Sequence, residues 1–535
     1  MHKGFFRIIL FCLIIVTCLN SASVRNLWQQ GKGLFYNSWD LIALRAKAID
    51  SNPYASIVAE VRFGNELYSG ERDYLLRRRA KVQTALEKKL QISLENKYIP
   101  TISVVCSGGG YRAMLGSLGS FSGLQEIGLF DAVTYISTLS GSTWALGLLM
   151  STRKTVAHLK KYIAQRLTTD FYRVNSSDAQ LIGNMLAVKI AFYQFVTTVD
   201  LFGSFLAKHL LGGFFGQKCQ KVHLSDQIEY IKDGTVPFPI YTAIDARIRA
   251  VGQAPWYEFT PFEIGSAVYA LYVPTWAYGR RFNKGKSIDN APEQSLGFHF
   301  GVFGSAYGAH IGLAWERIAK KMRSSIAKTV IEKVLTKSRV VQLRFSWARV
   351  CNFMFGIGGT PLYKSKHLKL VDAGIEFNLP YPPVSGERAE RQSDILIFFD
   401  FSQDIPSALQ KVEQYAHKHG LKFPSINYES IKKKTISIFK DEQDVSVPVV
   451  IYIPRITDTQ LWEEKKADPQ YKKYYRIDGF DFDQCLASGC CKTLNFHYTV
   501  RESNQVMDQM EFNVVVNESQ IINAIEWVIE QKSTQ

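Results

Sequence analysis

The hydrophobic pattern of the chain is sharpest between Ile102 and Leu149, where two apolar runs each break into small residues and then resume with helix formers. The first run is Ile102-Ser103-Val104-Val105-Cys106, followed by Ser107-Gly108-Gly109-Gly110-Tyr111-Arg112-Ala113-Met114. The second is Ala132-Val133-Thr134-Tyr135-Ile136-Ser137-Thr138-Leu139, followed by Ser140-Gly141-Ser142-Thr143-Trp144. Both runs are rich in β-branched residues and too short for a helix, so the pattern predicts two buried strands. Strand, small-residue turn and helix, repeated in this way, predict two parallel strands at the middle of an α/β sheet. Ile395–Asp400 reads as a further buried strand, and its closing Asp400 is expected to satisfy backbone or neighbouring groups.

Elsewhere the pattern changes character. Residues 24–98 read as mostly helical and charged, with Arg77, Arg78, Arg79, Lys81, Lys88 and Lys89 on a basic face that reads as a solvated helix surface, with a membrane patch as the alternative. From Asn184 to Gly216 the chain is strongly apolar, but Lys189, Asp200, Lys208 and His209 make it a poor transmembrane segment. It predicts buried cap helices, with a flexible lid or membrane-inserting surface as the alternative. Gly279 to Ser287, carrying Arg280, Arg281, Lys284 and Lys286, reads as a basic loop beside that cap. A closing amphipathic helix is predicted over about Ile521 to Glu530.

The chemistry lies in the small residues. Three consecutive glycines at a strand end leave backbone N–H groups uncovered and tolerate positive φ. At a helix start such groups suit an anion, or the oxyanion of a tetrahedral intermediate. Ser140, between strand and helix with Gly141 behind it, occupies the position of a nucleophile elbow. A nucleophilic serine needs a base, and none adjoins Ser140 in sequence, so the base must come from elsewhere in the chain. Nucleotide binding competes as a reading of the glycine turn. However, Gly108-Gly109-Gly110 lacks both the third spaced glycine of a dinucleotide fingerprint and the Gly-Lys-Ser/Thr ending of a phosphate loop.

Ser107 to Met114, followed by Leu139-Ser140-Gly141-Ser142-Thr143-Trp144, closely resembles the catalytic domain shared by cytosolic phospholipases A2 and fungal phospholipases B. The resemblance implies a patatin-like Ser–Asp dyad, with the aspartate in an Asp-(small)-Gly turn followed by Asn-Leu-Pro. This chain has Asp372-Ala373-Gly374-Ile375-Glu376-Phe377-Asn378-Leu379-Pro380 in the right order. By that motif Ser140 is the nucleophile, Asp372 its base, Gly109 and Gly110 the oxyanion hole, and Arg112 the partner of the lipid phosphate. Trp256–Gly265, Gly301–Ala306, Asn352–Met354 and Cys491–Phe496 match as well, so the resemblance spans roughly residues 70 to 500. It implies a three-layer α/β/α fold, with a central mostly parallel sheet and an apolar cap or lid over about residues 155–330. One position departs from the family: Thr138 stands where glycine is usual, two residues before the nucleophile, and a branched side chain there could crowd the elbow. His367, five residues before Asp372, is the candidate for a hidden triad, though an ordinary surface histidine is the simpler reading.

Composition adds bounds. With 535 residues, 46% hydrophobic and 13% aromatic, the chain reads as a large, well-packed globular protein. Its net charge of +16 predicts attraction to anionic phospholipid surfaces; no nucleic-acid module is recognisable, so no nucleic acid is expected as partner. Residues 1–23 read as a secretory signal, which predicts a secreted or periplasmic protein, with an uncleaved anchor as the alternative. A helical segment over residues 24–98 and a catalytic domain over 99–535 follow. Two of the eight cysteines, Cys12 and Cys18, fall in the signal. Of the others, Cys485 with Cys490 or Cys491 is the plausible local disulfide, and Cys106 is a free core thiol. Asn175-Ser176-Ser177 and Asn517-Glu518-Ser519 are glycosylation sequons. No spacing suits a metal, no calcium-dependent lipid-binding domain is read ahead of the catalytic motifs, and no cofactor is expected. Nothing in the pattern points to a particular oligomeric state. The sequence therefore predicts a serine hydrolase of glycerophospholipid or lysophospholipid esters. A catalytically silent lipid-binding protein and a general carboxylesterase or acyltransferase are the alternatives.

Overall fold

A computed structural model of the protein describes residues 38–171, 176–247, 254–307, 347–431 and 433–534. The signal-like stretch 1–23, with Cys12 and Cys18, lies outside these, as does Asn175 of the first sequon. The described residues fall into two compact units. One draws on the chain up to Val61, Phe171–His223 and Trp276–Val371; the other is Arg62–Asp170, Leu224–Thr275 and Asp372–Gln535.

The second unit is built on a mixed sheet. Its strands are β1 (Arg62–Phe63), β2 (Ile102–Cys106), β3 (Tyr135–Thr138), β4 (Phe238–Asp245), β5 (Trp256–Phe259), β6 (Glu263–Ser266), β7 (Leu271–Pro274), β8 (Ile395–Asp400), β9 (Ser437–Phe439) and β10 (Val449–Pro454). They lie in the order β1-β7-β6-β5-β4-β3-β2-β8-β10-β9. The middle, β4-β3-β2-β8-β10, is parallel throughout. Antiparallel strands extend it on both sides, β9 beyond β10 and β5, β6, β7 and β1 beyond β4. Every residue of β2, β3, β4, β8 and β10 is buried. Strands covered on both faces read as continuous apolar runs rather than alternating ones, which is why the sequence marks them so clearly. Asp400, at the end of β8, accepts from the Ser402 N–H at 2.9 Å and the Tyr452 hydroxyl at 2.6 Å, the satisfying role expected of it.

Four helices of this unit bear on the site: α1 (Ser69–Leu90), α2 (Tyr111–Glu126), α3 (Gly141–Thr152) and α4 (Val500–Val515). Helices α2 and α4 approach closely because α2 presents glycines to its neighbour: a Cβ on Gly119 would lie 2.2 Å from the Met507 carbonyl oxygen. Arg78, which the sequence assigns to a solvated face of α1, is fully buried. Its guanidinium donates to the carbonyls of Asp131, Val133 and Gly234, fixing the chain as it enters β3. Nearby, Arg388 pairs with Glu258 and Glu263, and Arg391 with Glu71 and Glu258. All five side chains are buried. In such a network each charge has its partners, and removing one strands another in low dielectric.

The first unit is mainly helical, with helices Ser38–Asp50, Ser176–Ala191, Thr198–Phe215 and Leu296–Phe303. The strongly apolar stretch forms two of these, and Ile182, Leu186 and Leu201 make a buried cluster flanked by Val196 and Phe205. The charges that interrupt it are paired inside the unit, Lys189 with Asp200 and Lys208 with Asp178. Glycines again set the helix contact: a Cβ on Gly203 would lie 2.0 Å from the Gly297 carbonyl oxygen. Arg280, read from the sequence as part of a basic loop, is instead fully buried and donates to the carbonyls of Tyr54, Ile57 and Ala291. Among the described residues no helix is long and apolar enough to cross a membrane.

Candidate active site

Strands β2 and β3 end together, with Cys106 paired to Thr138. Continuing that parallel register sets Gly108 beside Ser140, and a Cβ on Gly108 would lie 2.8 Å from the Ser140 Cβ. Gly141 comes nearer still: a Cβ there would lie 1.9 Å from the Gly110 carbonyl oxygen, so no side chain fits. Gly109 and Gly110 have φ of 149° and 63°, values that glycine adopts without strain. Ser140 also has positive φ, 51°, with ψ −127°. For a residue with a side chain this is a strained conformation, and it is the one that a strand-to-helix elbow imposes.

Polar side chains lock the two turns together. The Ser142 hydroxyl lies 2.9 Å from the Cys106 carbonyl and 2.7 Å from that of Leu139, and it accepts from the Leu139 N–H. Asn378 clamps the glycine turn from the other side. Its Oδ1 accepts from the Gly108 N–H and its Nδ2 donates to the Gly108 carbonyl, both at 3.1 Å. Thr138 is accommodated: it is buried, and its hydroxyl donates to the Ile240 carbonyl at 3.1 Å.

Asp372 closes the strand His367–Asp372 and is buried. One carboxylate oxygen accepts from the Gly374 N–H at 2.9 Å. Its carboxyl is also hydrogen-bonded to the Ser140 hydroxyl. Burial raises its pKa from an ordinary 3.8 to about 7, and the two hydrogen bonds pull it down only in part. Asp372 is thus a carboxyl poised near neutrality against a strained serine. His367 lies five residues back along the same strand, a rise of about 16 Å, and its ring packs edge-on against Phe195 with centroids 4.7 Å apart.

Arg112 is the second residue of α2 and is buried. Its Nε donates to the Phe401 carbonyl at 2.8 Å, Nη1 to the Cys491 carbonyl, and Nη2 to the Thr493 hydroxyl at 3.3 Å. Nη2 also backs the glycine turn, 2.6 Å from where a Cβ on Gly109 would be. The structure therefore gathers Ser140, Asp372, Gly109, Gly110 and Arg112 around one point of the second unit. Asn378, Ser142 and Thr493 complete the setting. The sequence showed these three only as letters within motifs; Asn378 and Thr493 meet partners from distant segments. Cys106 is a buried free thiol, as expected.

The chain is also similar to known proteins. Residues 102–417 match the family model described as "Lysophospholipase catalytic domain". Cytosolic phospholipase A2 zeta of Mus musculus is 26% identical over 92% of this chain and 64% of its own length. Cytosolic phospholipase A2 gamma of Homo sapiens is also 26% identical, over 78% of this chain and 92% of its own. This chain spans 54% of the human zeta relative. Among solved structures, human GIVD cytosolic phospholipase A2 has the same fold, with a TM-score of 0.74 at 22% identity, covering 88% of this chain and 68% of that one. These names overturn the expectation of a secreted or periplasmic protein with a signal peptide. The relatives are called cytosolic phospholipases A2, which points to the cytosol rather than to export.

Proposed function

The chain belongs to the lysophospholipase catalytic domain family, and from that membership we propose a phospholipase that hydrolyses acyl esters of glycerophospholipids or lysophospholipids through Ser140 and Asp372. The observation that carries this reading is the Asp372 carboxyl hydrogen-bonded to the Ser140 hydroxyl, with its pKa raised to about 7. A base with a pKa near the working pH combines a useful ionised fraction with real basicity.

In the first step the Ser140 Oγ attacks the ester carbonyl carbon while its proton passes to the Asp372 carboxylate. The carbonyl oxygen becomes an oxyanion, held by the backbone N–H groups of Gly109 and Gly110 ahead of α2. Collapse expels the lysophospholipid or glycerol-phosphoester alcohol, which takes the proton from Asp372, and leaves an acyl-serine. Water then attacks, giving its proton to Asp372; the second collapse returns a proton to Ser140 and releases the fatty acid. No histidine takes part. Arg112 would meet the lipid phosphate, while its hydrogen bonds to the Phe401 and Cys491 carbonyls and the Thr493 hydroxyl hold it against the glycine turn. The net charge of +16 supports attraction to anionic lipid surfaces.

Acyl release from mixed phospholipid vesicles tests the proposal. Wild type should liberate fatty acid and Ser140→Ala should not, with unchanged vesicle binding. Equal release by both would remove Ser140 from the chemistry, and no release by either, with equal binding, would favour a silent lipid-binding protein.

A further inference from the structure

Three cysteines near the C-terminus converge although the mechanism proposed above uses none of them. Helix Phe482–Ser488 carries Cys485 in its last turn and is capped by Gly489, with φ 96°. The chain then doubles back, and the Cys491 N–H donates to the Cys485 carbonyl at 3.1 Å. The Sγ atoms of Cys485, Cys490 and Cys491 all lie within 4.8 Å of one another, the first and last buried and Cys490 half-buried. Cys485 is within bonding reach of both partners. One sulfur makes one disulfide, so any bridge leaves a third thiol over. A cation uses all three.

Sulfurs bound tetrahedrally to zinc at about 2.3 Å stand about 3.8 Å apart, so the three would have to open from bonding contact to hold the ion, within the 4.8 Å that encloses them. Ligands that are thiolates alone select soft cations over calcium or magnesium. The Ser488 hydroxyl lies 3.3 Å from the Cys490 Sγ, where it donates to a thiolate. In a reducing compartment such as the cytosol, disulfides do not persist and clustered thiols bind metal or react. We propose that Cys485, Cys490 and Cys491 are three thiolate ligands of a bound Zn(II), with solvent on the half-buried Cys490 side completing its coordination. Binding forms three Zn–S bonds and releases the three thiol protons.

The ion would also fix the segment that grips Arg112. The Cys491 carbonyl and the Thr493 hydroxyl both accept from that guanidinium, which backs Gly109. This consequence rests on the proposed function; the metal site itself does not.

The test is zinc content of the full chain, purified under reductant without chelator and measured by mass spectrometry. Zinc stoichiometric with protein is expected, retained in Cys219→Ser. In Cys490→Ser affinity should fall by more than the about 10–100-fold that an outer-shell change costs. Cys490 is half-buried, so serine should be tolerated there, and circular dichroism checks the fold. Independently of any variant, Co(II) in place of zinc should give thiolate-to-metal charge-transfer absorbance in the wild-type protein. Two outcomes overturn the proposal: reduced wild type that holds no more added zinc than Cys490→Ser, or a Cys485 disulfide, found by alkylation and mass, that persists under reductant. None of these readouts depends on lipid hydrolysis, so a failed lipase assay would leave them intact.

Discussion

The turns after β2 and β3 are neighbours built on one plan, yet they handle backbone strain in opposite ways. After β2, Gly109 and Gly110 take up the positive φ values at no steric cost. After β3, Ser140 takes φ of 51° with a side chain attached. The first turn presents bare amides and needs no side chain. The second must present a hydroxyl, so strain is stored at the residue proposed to react. Space follows the same division, since Gly141 gives up its side chain so that the Gly110 carbonyl can approach.

Replacing the strained serine gives the largest expected effect. Ser140→Gly should lower acyl release by at least about 10⁴-fold, yet raise stability by about 1 kcal/mol as the positive φ loses its cost. Calorimetry beside the vesicle assay checks both, and a less stable variant would show that Ser140 is not strained. Asp372→Asn should lower turnover by about 10²–10⁴-fold. Its stability should move the other way, and with a definite pH dependence. The folded carboxyl has its pKa raised from 3.8 to about 7, so ionising it costs the native state up to about 4 kcal/mol above neutrality and nothing below about pH 4. Wild type therefore loses this stability as pH rises from about 4 to 7, and asparagine does not. A gain in Tm for Asp372→Asn at pH 8 that vanishes at pH 4 is expected. By the same ionisation, wild-type kcat/KM should fall as pH drops through about 7.

A smaller change reaches the glycine turn. Gly109→Ala places a Cβ 2.6 Å from the Arg112 Nη2, at a φ of 149°. It should cost about 10²–10³-fold in kcat if its amide holds the oxyanion. Asn378→Ala should be the mildest, leaving the Gly108 amide and carbonyl without their clamp. A stability loss of about 1–3 kcal/mol and a roughly tenfold fall in kcat are expected, read by thermal melts and initial rates. An unchanged melting temperature would show that the glycine turn holds itself.

The parallel core was legible because doubly covered strands leave unbroken apolar runs, as in Ile102–Cys106 and Ile395–Asp400. The antiparallel flank was harder to see: β5, β6 and β7 are four residues each, too short to impose a period. The positions of Ser140 and Asp372 could be read because each sits in a local turn motif. Asn378 could not be given a role, since its partner Gly108 lies 270 residues away. Arg78 and Arg280 misled for a related reason: local pattern reads a charge as solvated, whereas these two bury it against carbonyls from other segments. The expectation of export rested on one apolar stretch at the N-terminus, and a pattern of that kind says nothing about the company the catalytic domain keeps.

The contact between Gly141 and the Gly110 carbonyl also bears on how such a site is inherited. Where two loops touch through side chains, either can drift and the other adjust. Here the join is backbone against backbone, and it has no slack. A lineage could vary the residues around these turns, and with them the lipid preference of the proposed phospholipase, but the pair itself would pass unchanged or be lost. A mutational library should therefore treat residues 108–110 and 140–141 as a single heritable unit and look for new specificity outside it.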